Sequence, residues 1–88
     1  MMKLFYLKNC PHCRRAMDWM QQLYQENPKY KEIPIEMIEE SEQAQLAEQY
    51  DYYYVPCFFD GEKKLHEGVA SLDMMRNLFD DYLRRNKK

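Results

Sequence analysis

The sequence predicts an α/β fold in the order β-α-β-α-β-β-α, a mixed four-stranded sheet with helices on both faces. Three observations predict it. Four short segments are apolar runs or alternate with period two, and the longest stretches between and after them repeat apolar residues at three- and four-residue spacing. The pair Asp60-Gly61 then divides the last two strand-like segments with a hairpin signal. Strands one and two, joined by a helix, should run parallel through a right-handed crossover, and the last two should be antiparallel.

Lys3 to Lys8 is a short apolar and aromatic run that suits a central strand. A helix follows, with Pro11 at its first position and Ala16, Trp19, Met20, Leu23 and Tyr24 on one face. Asn27-Pro28 stops it. Ile33, Ile35 and Met37 alternate with polar residues as in a strand with one buried face, and Pro34 assigns that strand to an edge. Ser41 is the expected N-cap of a second helix, with Glu42 favourable beside it and Leu46, Ala47 and Tyr50 facing the sheet. A third strand is expected over Val55 to Phe59, beginning at Pro56, and Lys63 to Glu67 returns beside it until Gly68 breaks it. Ser71 caps a last helix whose apolar face carries Leu72, Met75, Leu78, Phe79, Tyr82 and Leu83. Arg84, Arg85, Lys87 and Lys88 complement its negative end.

Eighty-eight residues, 45% apolar, make one compact domain spanning 1–88, expected to be a monomer. A formal charge of −2 gives no basis for nucleic-acid binding. The opening apolar run, Leu4 to Leu7, is far shorter than a signal-peptide core or a membrane span, so the expected compartment is the cytoplasm, with no membrane partner. Thiols there are mostly reduced, and three cysteines form an odd set that reads as chemistry or packing, not as disulfide staples.

Cys10-Pro11-His12-Cys13 lies where the first strand gives way to the first helix. A thiol attacks as its thiolate, and a helix N-terminus stabilises an anion through unpaired N–H groups and the dipole. A free thiol with pKa near 8.5 is only about 3% ionised at pH 7, whereas one lowered to about 7 is half ionised. Cys10 is therefore the expected nucleophile, and Cys13, one turn in, the resolving thiol. Pro11 costs no hydrogen bond and fixes φ, while Lys8, Arg14, Arg15 and a protonated His12 add positive charge nearby. Zinc sites use the same C-x-x-C spacing, so a zinc or iron–sulfur module built on Cys10, Cys13 and Cys57 stands as the alternative. No second C-x-x-C and no H-x-x-x-H completes four ligands, and no resident cofactor or metal is expected.

On these residues the chain resembles the glutaredoxins, and more broadly the thioredoxin-like fold, over nearly its whole length. The resemblance rests on Leu4-Phe5-Tyr6-Leu7 running into the C-P-H-C motif, on Val55-Pro56 opening the third strand, and on Gly68 ending the fourth. It implies a cis Pro56 beside the dithiol and a Val55 backbone that pairs with an extended substrate or glutathione. It further implies glutathione as co-substrate, touching Lys8, Val55 and the Ser71 end of the last helix. Partners would be disulfide-containing or glutathionylated proteins, with glutathione or a thioredoxin reductase-type enzyme as reductant.

The chain departs from both patterns. Leu4 and Asn9 stand where thioredoxins carry a buried acid and a tryptophan. Gly68-Val69-Ala70-Ser71-Leu72-Asp73 keeps one glycine of the glutaredoxin pair and lacks the following acid pair. The Pro-His dipeptide is similar to that of the periplasmic oxidase DsbA, which lies about 150 mV from thioredoxin, roughly 7 kcal/mol for two electrons. The similarity implies a potential somewhat more oxidising than thioredoxin's.

Other residues read as structural. Cys57 is expected in the core, turned away from the face presented by Pro56. Tyr50 and Tyr52 should pack inside, and Tyr53 and Tyr54 lie near Val55, where they suit an exposed substrate rim. His66 is expected at the surface, the methionines in the core, and the glutamates from Glu36 to Glu48 on solvated faces.

Overall fold

The computed structural model describes residues 1–86, so Lys87 and Lys88 of the expected basic helix end lie outside the described residues. Strand β1 (Met2–Tyr6) leads to α1 (Pro11–Glu26), β2 (Ile35–Glu39), a short α2 (Ala44–Ala47), β3 (Cys57–Asp60), β4 (Lys63–Glu67) and α3 (Leu72–Arg85). The sheet order is β2-β1-β3-β4, with β1 parallel to β2 and antiparallel to β3, and β3 antiparallel to β4. The α/β architecture, the central first strand and the edge position of β2 agree with the sequence reading.

Strand β1 is central because neither of its faces is polar enough to meet water. Met2 and Leu4 point into a core shared with Ala16, Met20 and Leu23 of α1 and Met75, Phe79 and Tyr82 of α3. Phe5 points the other way, into a cluster with Ile38, Cys57, Phe59 and Ala47. There Phe5, Tyr50, Tyr52 and Phe59 pack ring against ring, with centroids 4.8 Å apart for Phe5 and Tyr50 and 5.0 Å for Tyr50 and Phe59. Each such pair adds about 0.5–1.5 kcal/mol to the area it buries. Helices α1 and α3 thus cover one face of the sheet and α2 the other.

Several boundaries differ from the sequence reading. The first strand ends at Tyr6, so Leu7 and Lys8 belong to the turn ahead of α1, and the third strand starts at Cys57, after Pro56. A 3₁₀ turn over Pro28–Glu32 was not expected. It forms because Asn27 caps it, accepting a hydrogen bond from Lys29 N at 3.1 Å, and because Tyr30 is buried against Phe79 with its hydroxyl donating to Asp80. Ser41 does not cap the second helix, whose N-cap is Gln43, because its N–H and hydroxyl are both bound to Glu39.

The single buried face expected for the second strand is also corrected. Ile33 is buried just ahead of the strand and Ile35 is half-buried, but Met37 is exposed, and the buried strand residues are Ile38 and Glu39. An edge strand is covered only as far as the helix above it reaches; α1 leaves an open groove of about 320 Å³ in which Met37 lies.

Ser71 does cap α3, accepting from Met74 N at 3.1 Å. The Asp60–Lys63 hairpin turns on Gly61 at φ +61°, a left-handed conformation that glycine adopts without strain. No helix among the described residues is long and apolar enough to cross a membrane.

Burial on this scale sets an expected ledger for substitution. Phe58→Ala should lower the urea-unfolding free energy by about 3–5 kcal/mol, and Met37→Ala should change it by no more than about 0.5 kcal/mol. Equal costs at the two positions would contradict the assignment of inner and outer faces.

Candidate active site

Cys10 is the N-cap of α1, with φ −90° and ψ 121°, and Pro11 occupies the first helical position. The turn is held by Cys10 N donating to Leu7 O and Arg14 N donating to Cys10 O, both at 3.1 Å. No side chain caps this helix. The N–H groups of His12 and Cys13 are therefore left for the Cys10 sulfur, which is half-buried, and Cys13 is 1% exposed one turn deeper. All three cysteines are free thiols.

This geometry separates two chemically identical groups. Partial desolvation of Cys10 works against its ionisation, but hydrogen bonds from the Cys13 backbone, the Cys13 thiol and the His12 backbone outweigh it, and the net pKa lies below the ordinary thiol value. Burial pushes Cys13 up to about 11, and the facing Cys10 sulfur and the Glu40 carboxylate act in the same direction, against a weaker backbone contact with Leu7. Pro11 and His12 are exposed and contiguous with the dithiol.

The Val55–Pro56 peptide is cis. The β1–β3 register pairs Phe5 with Cys57; continued one residue, it sets Pro56 beside Tyr6, at the end of β1 from which the chain runs to Cys10. Gly68, at φ +91°, donates its N–H to Pro56 O at 2.9 Å and so brings the β4–α3 connection to the same end of the sheet. Val55 is half-buried there, while Tyr53 and Tyr54 are 84% and 70% exposed. Lys8 lies in the turn before Cys10 with its ammonium 3.4 Å from Glu42. The Ser71 hydroxyl, at the start of α3, is engaged with Met74 N.

Cys57 lies on the opposite face, fully buried in the aromatic cluster, and burial raises it to about 12. Among the described residues, no three His, Cys, Asp or Glu side chains gather in a way that would hold a metal. His66 is half-buried, with its Nε2 2.9 Å from Val69 O.

Glu39 was missed by the sequence reading, which assigned it to a solvated face. It is 4% exposed. One carboxylate oxygen accepts from the Ser41 hydroxyl and Ser41 N, both at 2.6 Å, and from Glu42 N at 3.3 Å; the other accepts from Lys8 N at 3.0 Å. These bonds, led by that from the Ser41 side chain, hold its pKa at about 2. Glu39 thereby ties the turn ahead of Cys10 to the turn after β2. The signal was present: the period that carries Ile35 and Met37 carries Glu39 to the same face.

A dithiol split in this way, set at the junction of a parallel β-α-β unit and accompanied by a proline at the head of the next strand, defines a thioredoxin-fold thiol–disulfide oxidoreductase. The chain belongs to the Glutaredoxin family, whose model matches residues 2–64, from β1 into the start of β4. No curated protein matches it. Oxidoreductase chemistry on thiols and disulfides is the general function of that family.

Two measurements check the electrostatics. Alkylation of Cys10 by iodoacetamide should follow a titration midpoint below that of the same cysteine in the denatured protein, and Cys13 and Cys57 should stay unmodified in the native protein; a Cys10 midpoint at or above the denatured value would contradict the assignment. A carboxyl with a depressed pKa contributes stability that is full above its unfolded value of about 4.5 and lost as pH falls through about 2. Glu39→Gln should therefore lower stability at pH 7, with the difference from the parent closing as the pH falls across that window.

Proposed function

We propose that the protein reduces disulfides of proteins, and mixed disulfides of proteins with glutathione, through the Cys10/Cys13 dithiol. The reading is supported chiefly by the opposed displacement of two thiols one helical turn apart, the outer one low and the inner one high. The Cys10 thiolate attacks one sulfur of the substrate disulfide, forming a mixed disulfide and expelling the other sulfur as a thiolate. Cys13 then attacks the Cys10 sulfur, its proton passing to the thiolate that leaves. The substrate gains two electrons, one proton from Cys13 and a second from water on the thiolate expelled first, and the dithiol becomes a disulfide. The high pKa of Cys13 keeps it protonated until the mixed disulfide forms beside it, so it does not compete for the first attack.

The exposed Pro11 and His12 border the nucleophile, and Pro56 stands at the head of the neighbouring strand. Val55 would offer its backbone to an extended substrate, with Lys8 and the Ser71 end of α3 as further contacts for glutathione. Regeneration would come from glutathione or from a thioredoxin reductase-type enzyme, in the cytoplasm, at a potential somewhat more oxidising than thioredoxin's.

Turnover of a glutathionylated peptide decides the roles. Cys10→Ser should lower it by about 10³-fold or more, and Cys13→Ser should leave only the route in which free glutathione resolves the intermediate. Turnover retained by Cys10→Ser would overturn the reading. Running the parent protein with glutathione and glutathione reductase, and separately with NADPH and thioredoxin reductase, identifies the reductant.

A further inference from the structure

Glu67 closes β4 at the end of the sheet where the dithiol lies, and its side chain reaches back to the segment ahead of Pro56. Its Oε2 accepts hydrogen bonds from the backbone N–H groups of both Tyr53 and Tyr54, the second at 2.9 Å, while Lys64 donates to Oε1 at 2.8 Å. Residues 51–56 form neither helix nor strand, so no ladder holds their backbone. The exposed rings of Tyr53 and Tyr54 do not hold it either. The Tyr52 hydroxyl, donating to Glu40 at 2.7 Å, fixes one end of the segment, and Gly68 N, donating to Pro56 O, fixes the other. Between them Val55 packs against the Phe5 cluster, and among the described residues the Glu67 carboxylate is the one side chain hydrogen-bonded to the backbone; charge-assisted hydrogen bonds are about twice as strong as neutral ones. The Lys64 ammonium first, and then the Tyr53 and Tyr54 N–H groups, hold the pKa of Glu67 down at about 2.

We propose that Glu67 is a positioning residue for substrate, holding residues 53–55 so that the Val55 backbone and the two tyrosine rings meet the peptide on either side of a target disulfide. The proposal rests on the dithiol reading above. It confers a bias by size: a protein or peptide disulfide spans the clamped segment, whereas a small disulfide touches little beyond the two sulfurs.

The test compares the parent with Glu67→Ala, Glu67→Gln and Lys64→Ala on a disulfide-linked peptide and on hydroxyethyl disulfide. Glu67→Ala should raise KM for the peptide about tenfold with kcat little changed. It should leave hydroxyethyl disulfide turnover and the Cys10 alkylation profile as in the parent. Glu67→Gln, which keeps an acceptor oxygen, should recover part of the loss, and Lys64→Ala, which frees Oε1 but leaves both N–H bonds to Oε2, should give a smaller loss of the same kind. An unchanged peptide KM in Glu67→Ala, or equal losses on both substrates, would overturn the proposal. A parent protein that reduces neither disulfide would instead refute the dithiol reading. Amide hydrogen exchange at Tyr53 and Tyr54 would then decide the clamp, supporting it if Glu67→Ala exchanges faster and overturning it if the rates match.

Discussion

Strand β1 has no face to give to water, and the site follows from that constraint. With Met2 and Leu4 in one core and Phe5 in the other, the strand must lie inside the sheet with layers above and below it. Its parallel partner is reached only by a crossover, which α1 supplies. The chain therefore leaves the end of β1 and enters a helix within a few residues, and a helix begun in this way presents free N–H groups at the carboxyl end of the sheet. Cys10 occupies that opening. The placing of that thiol at a helix N-terminus is a product of the packing as much as of the local sequence.

What separates Cys10 from Cys13 is depth. Both sit in the same turn, within the field of the same helix dipole, which contributes about 1 kcal/mol at such a position and could not by itself divide them. The outer sulfur has backbone donors and partial access to water; the inner one is closed off and faces an anion whenever its neighbour ionises. Two carboxylates keep the surrounding turns in register, Glu39 on the turn before the motif and Glu67 on the turn before Pro56. Both take their place through the backbone N–H groups they satisfy.

Much of this was legible in the sequence, because the signals were local. Period-two and helical spacing located the strands and the two long helices, Asp60-Gly61 located the hairpin, and Pro34 assigned the second strand to an edge. The C-P-H-C motif needed only its place between a strand and a helix. The misreadings arise where a local rule is overruled, by a competing acceptor, by how far cover extends or by a partner distant in sequence. Ser41 is a good N-cap by type, but a buried carboxylate two residues earlier claims both its donors. Met37 continues an apolar alternation, yet α1 does not reach over it. Glu67 gives no local sign of its role, since the amides it binds lie thirteen and fourteen residues upstream. The family match likewise ends at residue 64, before the Gly68–Asp73 stretch in which the chain leaves the glutaredoxin pattern.

The burial of Cys57 has a consequence for which sulfurs can meet. With that sulfur sealed among aromatic rings, it is closed both to solvent and to the motif, and a reagent arriving from solution meets Cys10 first, with Cys13 directly behind it. An odd number of reactive sulfurs would leave one able to trap a partner or cross-link to a second copy. Walling off the third leaves Cys10 and Cys13 with no sulfur in the chain to pair with but each other.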